Sequence, residues 1–548
     1  MQPALAGDLV ITDELTEFAF ARNFSAWWIE AYRNLSFEYQ YMNSALSSVS
    51  VAHTPLTLTD DGIAVAVHEA ALVDYSSMTL RNITDNHITL KADLMPWGGA
   101  NAGMDSSATV DRVYTKAPFQ SPWRTIQIAP TEAALLNSSL ILNLNEPMAA
   151  GTDTSYIKPG KYMGIWWEMH LDRKTWASGP KHGATNENVR KHIDFAAKHG
   201  FGGVLVEGWN VGWDGDWFGN GEDFSFTKSY PDFDLEALSA YARSKNVVLI
   251  GHHETSGNAA HYETQLGDAF DLYQRVGVPA VKTGYVADAS QAKVTGTDGR
   301  RHYAWHEGQD MARHHLKVVT EAAKRHIAVN PHEPIKDSGL RRTYPNWISR
   351  EGARGMEFSA WGQPGNPPEH EANLVFTRLL AGPMDYTPGI FGMKTRSTDG
   401  IATTWAKQLS LYVVIYSPLQ MAADLLENYE KNPAPFQFIK DVPVDWDDTR
   451  VLNGEVGDYV TIARKERGGP NWYLGALTDE DGRTLSVPLS FLDEGRRYTA
   501  QIYRDGDKAN WKTAPQDIVI EERSVTRGDT LTLRLAPGGG QAIRFVAQ

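Results

Sequence analysis

Residues 185–210 read TNENVRKHIDFAAKHGFGGVLVEGWN. Val189, Ile193 and Ala196 fall on one helical face, Thr185 stands where an N-cap belongs, and Gly200 stands where a helix needs a left-handed C-cap. The apolar run VLV that follows is short enough for a buried strand, and it ends on Glu207. The same helix-then-strand rhythm extends on both sides. Strand-like runs begin near Gly164 (GIWWEMH), Val204 (VLVEGWN), Val247 (VVLIGHHE), Ala280 (AVKTGYV), Ile327 (IAVNPHE), Gly355 (GMEFSAW), Pro383 (PMDYTPG) and Leu419 (LQMAA). Eight such units over roughly 250 to 290 residues predict a (β/α)8 TIM barrel rather than a doubly wound sheet. No GxGxxG follows the first strand and no GxxxxGK[ST] occurs, which argues against nucleotide binding.

The barrel is assigned to residues 156–440. Residues 1–155 alternate with period two in LVITDELTEFAFA, GIAVAVHEA, HITLKADL (from His87), WRTIQIA and SLILNLN (from Ser139), as antiparallel strands of an N-terminal β-sandwich do. Residues 441–548 return to that pattern and predict a C-terminal β-sandwich, with Asp481-Gly482 as a hairpin turn. A chain of 548 residues has room for these three domains.

The formal charge of −15 opposes phosphate backbones and anionic lipid, so nucleic acid is not an expected partner. The absence of cysteine removes disulfides, thiolate metal sites and cysteine nucleophiles together. No run reaches the ~20 apolar residues a membrane span needs. MQPALAGDLV lacks the basic and apolar regions of a signal peptide. Several of the 17 tryptophans lie in polar or Gly-rich settings such as Gly208 to Gly219, which suits stacking on sugar rings.

Functional groups of a barrel stand at the C-terminal ends of its strands. Here those ends carry Glu168 and His170, Glu207, the trio His252, His253 and Glu254, the pair His332 and Glu333, then Glu357 preceded by Glu351, and Asp385. Carboxylates in this number, among Trp166, Trp167, Trp209, Trp213 and Trp361, are the equipment of a glycosidase. A histidine-based transition-metal site is the competing reading, weakened because strand one offers a single His170. A carboxylate-rich site prefers a hard cation, and calcium fits best.

At these residues the chain resembles glycoside hydrolase family 97. The matching stretches include TEF (Thr16 to Phe18), HEAALVDYSSM, PWRTI, KYMGIWWEMH, GPKHGAT, FGGVLVEGWNVGWDGDW, YPDFDL, HHETSG, VKTGYV, HEP, RTYPNW, GNPPEHE and GPMDYTPGIFG, in order. The resemblance implies the three domains above and two kinds of enzyme: inverting α-glucosidases, and retaining α-galactosidases with an aspartate nucleophile at the end of strand four. In this sequence Gly284 occupies that position, while Glu254 and Glu333 match the glutamates of the inverting kind.

The expectation is therefore a calcium-dependent, exo-acting α-glucosidase that releases glucose with inversion. The alternatives are an α-galactosidase and an inactive glycan-binding remnant. By resemblance Glu357 is the general acid and Glu254 and Glu333 activate water. Calcium is held by Glu333, Glu351, Glu357 and a first-domain glutamate, Glu14 or Glu17. Glu38 reaches the substrate, as do Glu207, Trp209, His252, His253 and His332. The family carries well over a hundred residues ahead of DELTEF where this sequence has a dozen, so the first sandwich is expected to be incomplete. A periplasmic or secreted location is also implied by the resemblance. The segment Ala287 to Arg301 should decorate the rim of the site.

Overall fold

The helix expected after Thr185 spans Asn186–His199, with the Thr185 side chain accepting from the Asn188 amide and Gly200 at φ +79°. Val189, Ile193 and Ala196 are buried beneath it. That unit positions the strand Gly203–Val206 and hence Glu207. The computed structural model describes residues 7–83, 88–99, 111–219, 221–397 and 400–548; His87 of the expected HITLKADL strand lies outside them.

Six parallel strands form one sheet in the order Ala328–Val329, Ala280–Gly284, Val248–Glu254, Gly203–Val206, Gly160–Ile165, Leu419–Ala422. Single backbone bonds continue the ring. Ile348 N donates to Val329 O (3.1 Å), Asp385 N to Arg350 O (3.3 Å), and Met384 N to Tyr416 O (2.9 Å). The sixth strand position is thus held by residues 346–350, and the expectation of a strand from Gly355 is corrected: Glu357–Trp361 is a short helix. Asn346 to Arg350 contains only Trp347 and Ile348 as strand formers, so its alternation is too short to stand out.

Strand alternation sorts the two sides of the barrel. Tyr162, Leu205, Ile250, Ala328 and Met421 belong to one apolar cluster inside the ring, whereas Met163, Val204, Val206, Leu249, Val281 and Val329 pack outward with the helices.

The first domain stacks a five-stranded sheet on a four-stranded one, around Phe18, Trp28, Leu58, Val67, Met78 and Leu80. Its expected last strand, SLILNLN, is instead the helix Leu140–Asn143. The Asn145 amide donates to Ile141 O (2.7 Å) and to Ser338 O (2.9 Å), tying this turn to the barrel. The C-terminal domain has sheets of six and two strands. Asp481-Gly482 does not close a hairpin. Trp472–Thr478 pairs with Tyr459–Glu466 and Gly540–Ala547, while Arg483–Pro488 crosses to the other sheet and pairs with Thr530–Leu535. Arg483 reaches back to Thr478 and Asp479, so side-chain bonds at the turn favour the crossover.

Candidate active site

A cavity of about 600 Å³ opens at the C-terminal ends of the barrel strands. Its chemistry follows from register. In the ladder between strands three and four, His252 pairs with Lys282 and Glu254 with Gly284, and Gly284 bridges in turn to His332. His252 and Glu254 therefore point inward, and His253 between them points out. His253 is fully buried, its Nδ1 2.9 Å from the Tyr262 hydroxyl and its ring stacked on Tyr273. Its expected role in substrate binding is corrected. So is that of Trp209, which follows Gly208 at φ +77° and leaves the strand's alternation. Trp209 packs on Phe233 and Tyr273 and donates to His252 O (2.7 Å), which makes it a core residue.

Glu38, Glu207, Glu254, Glu333, Glu351, Glu357, His252 and His332 all line the cavity. Glu14 and Glu17 do not. Glu14 is held by Arg124 through two bonds of 2.6 and 2.7 Å, and Glu17 is exposed on an edge strand. The first-domain carboxylate that lines the cavity is Glu38, on the segment after Ser25–Trp28. Of the aromatics, Trp166, Trp176, Trp213, Trp217, Phe218 and Trp361 line the cavity, whereas Trp167 is core. Glu168 instead accepts from Asn188 Nδ2 (2.5 Å). Asp385 is buried below the site, bound to Asn330 Nδ2 (2.7 Å) and the Tyr162 hydroxyl. Ala287 to Arg301 leads into a hairpin, Ala292–Thr295 with Arg301–Ala304. Ala289 N donates to Asn34 O (2.8 Å), so this segment meets the loop that carries Glu38.

Lys282 is a lining residue that the sequence reading passed over. The signal was present: it shares the inward parity of Gly284 one step along the same strand. Lys282 is 4% exposed in its side chain, with Nζ 3.8 Å from Asp385. Burial opposes its charge, yet Asp385 and three glutamates hold its pKa above the usual lysine value.

Each carboxyl is held differently. Glu254 Oε1 accepts from the Ser256 and Val286 amides (2.6 and 3.1 Å), leaving Oε2 to face His332 Nε2 at 3.5 Å. Burial, reinforced by Glu333, pushes Glu254 up to about 7. Glu357 starts the helix Glu357–Trp361, accepts from the Gly355 amide (3.0 Å), and is pushed up to about 7 by burial and by Glu333. Glu351 and Glu38 rise further, through burial and the crowd of neighbouring carboxylates.

Glu333 goes the other way. Burial would raise it, but His332 beside it holds it below the usual range. Burial would equally depress His332, yet Glu333 and Glu254 push it up to about 10. His332 is thus a cation that donates from both nitrogens, and its Nε2 meets His252 Nε2 at 2.9 Å. His252, depressed by burial, is neutral and accepts there; its Nε2 also lies 3.6 Å from Glu207. Glu207, His252 and His332 could converge on an ion if His332 gave up its proton.

Three family profiles match the chain: glycoside hydrolase 97 N-terminal over residues 2–147, glycoside hydrolase 97 over 166–353, and glycosyl-hydrolase 97 C-terminal, oligomerisation, over 445–546. A family 97 enzyme of Pseudoalteromonas sp. strain K8, solved in complex with acarbose, is 52% identical and superposes with a TM-score of 0.95 over all of this chain and 83% of that one. A retaining alpha-galactosidase of Bacteroides thetaiotaomicron is 29% identical over 93% of this chain and 74% of its own length. A probable retaining alpha-galactosidase of Streptomyces bingchenggensis is 29% identical over 79% of this chain, which spans 59% of that relative. The names of these two curated relatives overturn the expectation of a glucose-releasing enzyme that inverts.

Proposed function

The chain belongs to glycoside hydrolase family 97, and from that membership we propose that it hydrolyses the bond to a terminal α-linked sugar. Glu357 acts as general acid, and Glu254 or Glu333 supplies the second carboxylate. One observation carries this reading. Within a single cavity Glu357 is pushed up to about 7, and so keeps a proton to give, while Glu333 is held ionised by His332. Displacing two carboxyls in opposite directions is how a site divides acid from carboxylate work at neutral pH.

The proton on Glu357 goes to the glycosidic oxygen as the bond to the anomeric carbon breaks. Positive charge growing on the sugar meets the second carboxylate, and a water that gives its proton to a carboxylate of the cavity supplies the new oxygen on the anomeric carbon. Residue 284 cannot be that group, because it is glycine and the space above it is filled by Glu254 and His332. The aromatic walls from Trp166, Trp176 and Trp213 fit the apolar faces of a sugar and keep water out. The α configuration rests on the names of the two curated relatives.

The donor set also supports calcium. Glu38 and Glu351 are raised by burial and by neighbouring carboxylates, Glu333 beside them is held ionised by His332, and the oxygens of all three suit a hard cation. Those three residues would hold the ion, which when bound supplies a fixed positive charge to the cluster.

The test is a panel of nitrophenyl α- and β-galactosides and glucosides with calcium present. Turnover of an α-glycoside that is lost in Glu254→Gln or Glu333→Gln, with turnover of the corresponding disaccharide lost in Glu357→Gln, supports the reading. Turnover of β-anomers alone, or of none, overturns it.

A further inference from the structure

A second cavity, of about 320 Å³, lies where all three domains meet and away from the carboxylate cluster. The first domain lends it Leu135, Ile141 and Leu142, the barrel Leu379 and Tyr416, and the C-terminal domain Val451. Two arginines complete the wall, Arg341 from the barrel and Arg464 from the C-terminal sheet.

Arg464 is 8% exposed, and among the described residues no carboxylate lies within ion-pair distance of it. Its Nε donates to Val413 O (2.7 Å) and its Nη1 to Thr449 Oγ1 (2.8 Å). Those bonds fix the guanidinium without neutralising it, and Nη2 has no hydrogen-bond partner among the described residues. The plane lies over the Tyr416 ring at 5.3 Å. Burial with no anion beside it pushes Arg464 down to about 10. Arg341 spends only Nη1, on Asp337 Oδ2 (2.8 Å) and Ala381 O (3.2 Å). Both arginines line the cavity, Arg341 already paired with Asp337 and Arg464 with no acid of its own among the described residues. Asp445 pairs with Arg467 at 2.8 Å.

A buried cation without a counter-ion is costly unless something pairs with it. Guanidinium forks match carboxylate geometry, and Leu135, Ile141, Leu142, Leu379 and Val451 give the cavity an aliphatic side. We propose that this cavity binds a small aliphatic carboxylate, its head on Arg464 and its tail against Ile141, Leu379 and Val451. This site is independent of the glycosidase reading and touches none of its residues.

The whole chain is titrated with sodium 4-methylpentanoate, with the neutral amide of the same acid, and with inorganic phosphate. Calorimetry should show saturable binding of the carboxylate at millimolar concentration, with a matching rise in melting temperature. The amide should show neither, and phosphate, which has no tail, should bind at least tenfold more weakly. Arg464→Met should lower carboxylate affinity at least tenfold. If that variant fails to fold, Leu142→Trp, which fills the cavity without touching a charge, should abolish binding alone. No saturable binding of the carboxylate, equal binding of the amide or of phosphate, or binding unchanged in Leu142→Trp overturns the assignment.

Discussion

Glu357 and Gly284 carry the sharpest expectations of single residues. If Glu357 is the acid, Glu357→Gln loses about 10²- to 10⁴-fold in kcat on a disaccharide, whose departing alkoxide needs a proton. A glycosyl fluoride, whose leaving group departs unaided, loses far less. Steady-state rates on the two substrates at saturating calcium check this, and equal losses with metal still bound would remove Glu357 from the role. Gly284 acts through space rather than chemistry. A methyl there would collide with Glu254 Oε2 and His332 Nε2. Both side chains are buried and bonded, so neither yields freely. Gly284→Ala should therefore lower kcat by at least about tenfold, the factor that ~1.4 kcal/mol of barrier commands. Its melting temperature should also fall, since overpacking a buried site costs about 1–3 kcal/mol. A kinetically silent Gly284→Ala would show that Glu254 is not held where the reaction needs it.

Among the elements, the segment Arg350 to Gly352 depends on one side chain. Arg378 is buried and donates to the carbonyls of Arg350, Glu351, Gly352, Gly382 and Pro383 at 2.8 to 3.2 Å. It substitutes for the ladder that positions six and seven of the barrel lack. Arg378→Met would orphan the carbonyls of Glu351, Gly352, Gly382 and Pro383, at about 1–3 kcal/mol for each that water cannot reach. The expected outcome is a clear drop in the denaturant midpoint together with weaker calcium binding, because Glu351 rides on this backbone. Intact calcium affinity in a destabilised variant would separate Arg378 from the site.

The same region marks the limit of what the sequence shows. Short apolar runs with helices between them identified barrel strands one to five and eight, and inward parity would have found Lys282 beside His252. Positions six and seven are closed by single backbone bonds and an arginine, which leave no periodic trace. Trp209 misled for a local reason. Its strand ends at Gly208, where an added Cβ would meet the Trp176 backbone at 2.8 to 2.9 Å, and parity stops carrying information beyond it. Glu38 was legible as a site residue but not as the first-domain carboxylate of the acidic cluster, since 295 positions separate it from Glu333 and only the tertiary fold brings them together.

For the whole molecule, that junction between first domain and barrel makes stability depend on pH and metal together. Glu254 and Glu357 are pushed up to about 7 in the fold, against an ordinary glutamate value near 4.5. Raised carboxyl pKa values mean that the folded chain binds more protons than the unfolded one between those limits. Their contribution is complete below about 4.5 and is lost as pH climbs through about 7. In metal-free protein the melting temperature should therefore fall between pH 5 and pH 8, with up to about 1.4 kcal/mol lost per pH unit for each carboxyl that must ionise. Calcium bound to the folded chain alone should reverse the trend by favouring the ionised cluster, adding about 2.7 kcal/mol at a hundredfold excess over Kd. Glu38→Gln should remove most of that increment, since it cuts the first domain's share of the donor set. Glu14→Gln should keep the increment while lowering the starting stability, because it breaks the pair with Arg124. Melting curves of the three proteins, with EGTA and with calcium at pH 5 and pH 8, decide it. A metal-free protein equally stable at both pH values, or a calcium increment kept in Glu38→Gln and lost in Glu14→Gln, would refute the assignment of Glu38 to the cluster.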